Sequence, residues 1–230
     1  MYMITIETIK QRHSVRRYLA KPIADDIKQR LLQEIAICNE QSGLHIQLVT
    51  DEPKAFSGLL SYGKFSGVTS YLVMAGSPSV DFEEKVGRYG EHLVLFAQSL
   101  GLNTCWVGMT YRKVNSAFTL SDGEKVRCLI AIGYGESTGA SHKIKTISQV
   151  SNADESSPTW FVQGVEAALL APTAVNQQKF RFELTPKQVE GKSVVKTKAT
   201  FSMVGYTKID LGIAKLHFEI GAGKDNFVWD

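Results

Sequence analysis

The sequence predicts a chain of mixed helices and strands in two similar halves, on three observations. Apolar residues recur at helical spacing in two long segments, short strand-like runs lie between them, and the same order of elements returns faintly after residue 157. The first helix is carried by Ile27, Leu31, Ile35 and Cys38, with Leu32 and Ala36 widening the face. The second is carried by Phe82, Val86, Tyr89, Leu93, Phe96 and Leu100, spaced 4, 3, 4, 3, 4 and stopped by Gly101. Strands are expected at 44–50, 71–75, 104–107 and 126–133. Residues 135–157 are polar and read as a long excursion or linker, and Ser157-Pro158 then starts a new helix.

The recurrence has a definite register. An offset of 134 lays Leu31 on Val165, Ile35 on Leu169, Ile46 on Phe180 and Leu48 on Phe182. An offset of 122 lays Gly90 on Gly212, Phe96 on Phe218 and Gly101 on Gly223, and the strand 104–107 on 226–229. The run YLVMAG at 71–76 is matched with TFSMVG at 200–205. Both halves then read helix, strand, strand, helix, strand. They divide as 1–156 and 157–230, expected to form one unit, and the second lacks the opening (1–25) and closing (110–156) segments of the first.

Composition narrows the class. Of 230 residues 43% are apolar, which is enough to bury a sizeable core and excludes disorder as the main state. The longest apolar runs are too short for a membrane-spanning helix, and no secretory leader follows Met1. Three cysteines, none in a CxxC pair, suggest free thiols and a cytoplasmic protein. A net charge of +3 does not demand nucleic acid. Two lures are set aside. Gly133-Tyr134-Gly135 with Gly139 lacks the dinucleotide-loop spacing and a following amphipathic helix, and Gly221-Ala222-Gly223-Lys224 lacks the other P-loop residues. Five scattered histidines predict no metal site.

Two segments carry chemistry. Arg12-His13-Ser14-Val15-Arg16 sets two guanidinium forks and a hydroxyl within five residues, a donor set suited to a phosphate. Ala171-Pro172-Thr173-Ala174-Val175-Asn176-Gln177-Gln178 places small polar groups just past a helix, where they serve either as a capping turn or as hydrogen-bonding partners of a planar heterocycle.

Together these segments resemble the FMN-dependent nitroreductase family, in a divergent single-chain branch. Arg12, Ser14 and Arg16 match its R-x-S-x-R phosphate motif, and APTAVNQQKF resembles its A-P-S-A-x-N-x-Q-P-W signature, with Thr173, Lys179 and Phe180 as departures. LVLFAQSLGLNTCWVG resembles its core helix and following strand. LIAIGYGES, followed by His142-Lys143-Ile144-Lys145, resembles its last strand with trailing basic residues. Strand–helix alternation alone suggests a parallel sheet; the resemblance instead implies an α+β fold with mixed, mainly antiparallel sheets flanked by helices. It also implies FMN as cofactor, NAD(P)H as donor, and a nitroaromatic, quinone or similar small molecule as acceptor. It implies no catalytic side chain and no membrane or nucleic-acid partner. A monomer is compatible with it, and so is further dimerisation.

The cofactor-binding residues implied are Arg12, His13, Ser14, Arg16, Lys64, Gly108, Lys143, Lys145, Pro172, Thr173, Ala174, Asn176 and Gln178. Of these, Arg12, Arg16, Lys143 and Lys145 would hold the phosphate, and Gly108 lies where family members offer backbone amides to the flavin. In ordinary members the turn signature follows the arginine motif closely and FMN sits between two subunits. Here the place of the turn holds Cys38-Asn39-Glu40-Gln41-Ser42-Gly43, and the intact signature lies in the second half. The expectation is a fused, asymmetric dimer with one flavin site. Two other readings stand beside it: a flavin-binding protein without turnover, and an interaction module that uses the basic patch of Lys10, Arg12, Arg16, Arg17 and Lys21, a run of residues 10–21 without an acid.

Overall fold

The computed structural model describes residues 4–57 and 64–230. Helix α1 (Ile6–Gln11) opens on Thr5, where a Thr5–Thr8 capping box satisfies free amides of the first turn. Its last residue hands over to Arg12 in extended conformation (φ −74, ψ 116), so the arginine motif runs on as a strand-like segment. Helices α2 (Asp25–Ser42) and α3 (Phe82–Ser99) are the two long periodic segments. Gly43, at φ 70, ends α2 in the left-handed conformation that a residue without Cβ adopts at least cost.

Strands β1 (Gln47–Val49), β2 (Tyr71–Gly76), β3 (Asn103–Val107) and β4 (Lys125–Gly133) form a sheet of order β1-β2-β4-β3, antiparallel throughout. Past β4 come α4 (Ile147–Val150) and α5 (Thr159–Leu169). Strands β5 (Phe180–Val189) and β6 (Lys192–Ala199) follow, then α6 (Thr207–Ala222) and β7 (Phe227–Trp229). Their sheet has the order β5-β6-β7, with β5 and β6 antiparallel and β6 and β7 parallel. The fold is α+β, with mixed and mainly antiparallel sheets.

One difference between the sheets has a simple geometric reason. In the first, β4 lies between β2 and β3 and opposes both, so β2 and β3 point the same way. The second sheet has no strand in that place. Strand β7 therefore pairs directly with β6, and the pairing is parallel.

Two sequence expectations are corrected. TFSMVG at 200–205 is a loop, and the second strand of that half is β6 instead. Val194 and Val195, on opposite faces of β6, are both buried, whereas Phe201 and Met203 are exposed at 85% and 94%. The stretch 135–157 is no free linker. Asn152 bonds both backbone groups of Leu184, at 3.0 and 2.8 Å, and straps this segment onto β5.

The main core joins residues of 1–156 with residues of 157–230. Leu72, Met74, Val86, Leu93 and Ile130 pack in one cluster with Phe161, Phe180, Phe182, Ile213 and Phe218. Its tightest seam is α3 against α6. A Cβ on Gly87 would lie 2.1 Å from the Ile209 carbonyl oxygen, and one on Gly212 would lie 2.1 Å from that of Glu84. The two contacts are reciprocal: an offset of 125 carries Gly87 to Gly212 and Glu84 to Ile209. This replaces the offset of 122 read from the sequence by three residues, close to one helical turn. The starts of α2 and α5 keep the offset of 134, and the residues before them, Ala24 (φ −58, ψ 142) and Pro158 (φ −58, ψ 140), share one backbone conformation.

Candidate functional site

The extended run after α1 explains the spacing of the arginine motif. Side chains of an extended segment alternate, so residues 12, 14 and 16 share one side. The Val15 amide bonds the Thr104 carbonyl at 3.0 Å and lays the run along β3, with Val15 and Tyr18 buried. Arg12, Ser14 and Arg16 then face a cavity of about 240 Å³ that also meets Ala140, His142, Pro172, Thr173, Val175 and Asn176. A larger cavity of about 460 Å³ shares Ser14, Arg16, Pro172, Thr173 and Val175 with it. The two form one cleft with a basic narrow end and a wider, more apolar end. Lys64, Trp106, Gly108, Met109, Tyr206, Ile209, Asp210 and Ile213 line the wide end.

Residues 173–178 form a strained turn. Val175, Asn176 and Gln178 have φ of 46, 56 and 46, a region that β-branched Val175 in particular avoids. A dense set of bonds holds it. Asp210 accepts from the Ala174 amide at 3.0 Å and from Gln177 Nε2 at 2.7 Å. Thr173 Oγ1 accepts from the Gln178 amide at 3.0 Å. Asn176 Nδ2 and Gln178 Nε2 both donate to the Lys143 carbonyl, at 2.8 and 2.9 Å. Burial pushes Asp210 up to about 6, against the pull of its two donors.

Nine of the thirteen sequence-predicted residues line the cleft: Arg12, Ser14, Arg16, Lys64, Gly108, Pro172, Thr173, Ala174 and Asn176. Four do not. His13 falls on the other side of the extended run, with its Cβ toward Gly139. Lys143 is exposed and meets the turn through its carbonyl. Lys145 spends its ammonium on the carbonyls of Gln177 and Gln178, at 2.9 and 2.8 Å. Gln178 is buried and serves as an internal brace, donating to Lys143 and Asn176 and accepting from the Lys145 amide. From that basic run it is His142 that reaches the narrow end, its pKa lowered by burial and by Arg12 and His217.

The sequence reading missed several wall residues. Tyr206, at φ 61, donates its hydroxyl to the Gly108 carbonyl at 3.0 Å. A Cβ on Gly108 would meet the Tyr206 ring at 2.7 Å, so the glycine permits the approach. Asp210 was missed because a lone acid in an apolar helix gives no signal until the turn it braces is seen. Cys128 reaches the wide end, but burial raises its thiol to about 12, which leaves it unreactive. Away from the cleft, Glu34, Cys38 and His92 come within 4.8 Å of one another, a grouping that histidine spacing did not reveal. His92 Nε2 bonds Glu34 Oε1 there at 2.6 Å, and burial raises Cys38 to about 12. No helix among the described residues is long and apolar enough to cross a membrane.

Comparison with known proteins agrees with this geometry. The family model described as "Putative TM nitroreductase" matches residues 4–222. A structure described as a putative nitroreductase from Thermotoga maritima superposes with a TM-score of 0.62 at 24% identity, covering 96% of this chain and 84% of that one. NfrA2 of Bacillus megaterium gives 0.52 at 17% identity, covering 72% and 82%. A putative nitroreductase from Desulfovibrio desulfuricans, in complex with FMN, gives 0.51 at 17% identity, covering 66% and 97%. At these identities the structures establish a shared fold. No curated protein matches the chain.

Proposed function

Since the chain belongs to the family described as Putative TM nitroreductase, we propose that it is an FMN-dependent oxidoreductase that passes electrons from NAD(P)H to a nitroaromatic, quinone or similar acceptor. The observation that carries the reading is the cleft itself. Phosphate donors at 12–16 and a turn some 160 residues later face one continuous space with a basic end and an apolar end.

The residues fit the cofactor. Arg12 and Arg16 offer charge-assisted donors at the narrow end, with Ser14 and His142 beside them. Arg12 Nε is buried without a hydrogen-bond partner, its nearest acid, Glu91 Oε1, standing off at 3.7 Å. Trp106, Ile209 and Ile213 give the wide end apolar surface for a flat ring system. Bound FMN supplies hydride chemistry, which is the cofactor's own. The protein's part is to bind and orient. The Asp210-braced turn presents Thr173 and Ala174 to the cleft, and the Thr173 hydroxyl keeps its proton to donate, because its oxygen already accepts from Gln178. Lys64 adds a positive charge at the wide end. The same reading makes the chain a duplicated, fused pair, 1–156 and 157–230, with one flavin held in cis.

The absorption spectrum of the pure protein tests this. A yellow protein bleached by NADH or NADPH, with the colour restored by an acceptor, is expected. A flavin that NAD(P)H cannot bleach favours a binding protein without turnover, a reading that the departure at Lys179 supports. A colourless protein that takes up no FMN refutes both.

A further inference from the structure

We propose that Glu91 is the positioning residue for the phosphate end of the cleft: its carboxylate holds Arg12 toward the ligand and fixes Trp106 at the other end through its second oxygen. The proposal rests on the flavin reading above and adds a residue that touches no ligand itself.

Glu91 lies in the middle of α3 and is wholly removed from solvent. A carboxylate in that position needs partners on both oxygens. Oε2 accepts from Trp106 Nε1 at 2.8 Å. Oε1 bonds His217 Nε2 at 2.9 Å and lies 3.7 Å from Arg12 Nε. His217 is itself fully buried, with Nδ1 against the Ala167 carbonyl at 3.2 Å. One carboxylate thus gathers a residue from the end of α1, one from β3 and one from α6.

The Arg12 contact is the informative one. Only 3% of Arg12 is exposed, yet its Nε makes no hydrogen bond. At 3.7 Å the link to Glu91 is an attraction between charges and too long for a hydrogen bond. A guanidinium this deeply buried is tolerated only beside an opposite charge. Without the Glu91 charge, Arg12 gains by leaving for solvent, and the narrow end loses one of its two guanidinium forks. Arg16 stays in place. The wide end keeps its shape, because a glutamine at position 91 still offers an oxygen and an amide to Trp106 and His217.

That difference gives a readout that a general packing defect does not move. FMN and riboflavin share the ring and ribityl chain and differ in the phosphate. Dissociation constants for both, from flavin fluorescence titrations, are compared for the wild-type chain, Glu91→Gln, Arg12→Ala and the double variant. Glu91→Gln is expected to weaken FMN about tenfold while riboflavin changes by less than about twofold, the loss of roughly one charge-assisted contact. In the Arg12→Ala background the same substitution should have no further effect on FMN. Equal losses for both flavins, an unchanged FMN constant, or a full effect without Arg12 each overturn the proposal. Where Glu91→Gln does not fold, Arg12→Gln with Glu91→Gln removes the pair together. Retention of the wild-type preference for FMN over riboflavin in that variant overturns it too. A wild-type chain that binds neither flavin refutes the flavin reading instead. The positioning role is then decided with inorganic phosphate: a thermal shift in the wild type that Glu91→Gln lacks supports it, and equal shifts or none refute it.

Discussion

The cleft and the cavity that answers to it across the α3–α6 seam are lined by opposite chemistry. The offset of 125 that exchanges Gly87 with Gly212 also carries Ile209 to Glu84 and Ile213 to Arg88. Ile209 and Ile213 line the wide end of the cleft, while Glu84 and Arg88 line a cavity of about 300 Å³ with Gly212, Lys215, Glu219 and Trp229. There the space is laced by ion pairs. Arg88 grips Glu219 with both nitrogens at 2.7 Å, Lys215 pairs with Glu84, and Glu219 Oε1 takes the Trp229 indole N–H at 2.9 Å. The Lys215 ammonium also stands over the Trp229 ring at 4.9 Å. The turn differs as well. Helix α5 stops after 11 residues and leaves room for the strained turn at 173–178, whereas α2 runs for 18 and keeps 38–42 helical. On the proposed reading of a fused pair, the contrast teaches how two equivalent places can differ: one offers apolar surface to a ligand, and the other is lined by side chains already paired with one another across the α3–α6 seam. This is the physical form of the one-flavin proposal.

The contrast is most strongly challenged at its arginines. Arg88→Ala leaves the largely buried Glu219 carboxylate without its bidentate partner and should cost about 3 kcal/mol of stability in denaturant unfolding, with the FMN dissociation constant unchanged. Arg16→Ala should do the reverse, weakening FMN about tenfold or more with little change in stability. Comparable FMN losses from both substitutions would erase the distinction between the two cavities.

Asp210 sharpens the comparison through pH. Its counterpart at the offset of 125 is Lys85, so only the cleft side carries a buried acid at this place. Its folded pKa, about 6, stands above its ordinary value of 3.8, because burial disfavours the charged form. The favourable contribution is therefore complete below about pH 4 and is lost as pH rises through about 6, at most about 3 kcal/mol. Asp210→Asn should flatten the stability profile in that window. A profile identical to wild type would mean that Asp210 titrates normally and that the turn is not braced as described.

The seam itself should respond evenly. Gly87→Ala and Gly212→Ala each drive a Cβ into a backbone carbonyl, so each should destabilise by about 2 kcal/mol in thermal or denaturant melts. A large effect at one and none at the other would break the reciprocity that sets the offset.

The smallest expected effect lies in the turns. Asn176→Ala removes the bond to Lys143 and loosens a wall of the narrow end, and should weaken FMN severalfold, about 1 kcal/mol. Ser42→Ala, at the offset of 134, loses a bond to the Cys38 carbonyl and one from the Leu44 amide, both away from the cleft, and should leave FMN affinity alone. Equal effects on affinity would place a flavin on both sides.

Much of this was legible in the sequence, for reasons that particular residues show. The elements were readable because Phe82 to Leu100 and Ile27 to Cys38 hold their helical period, and their order in each half follows. Arg12, Ser14 and Arg16 were readable because alternation in an extended run puts them on one side. The α3–α6 register was read three residues off, since Gly90 and Gly87 both fit a helical match and only the close approach to Ile209 selects between them. For Lys145, charge alone does not say that the ammonium is drawn onto two carbonyls of the turn at 173–178. Glu91 stayed invisible for a similar reason. An acid in a helix reads as a solvent-facing residue until α1, β3 and α6 are seen to close around it.

The asymmetry is tested most directly by titrating the monodisperse 230-residue chain with FMN and counting flavins at saturation. The account predicts one FMN per chain, with Arg16→Ala weakening that site and Arg88→Ala leaving it intact. Two per chain, or a single site that Arg88→Ala weakens and Arg16→Ala does not, would contradict it.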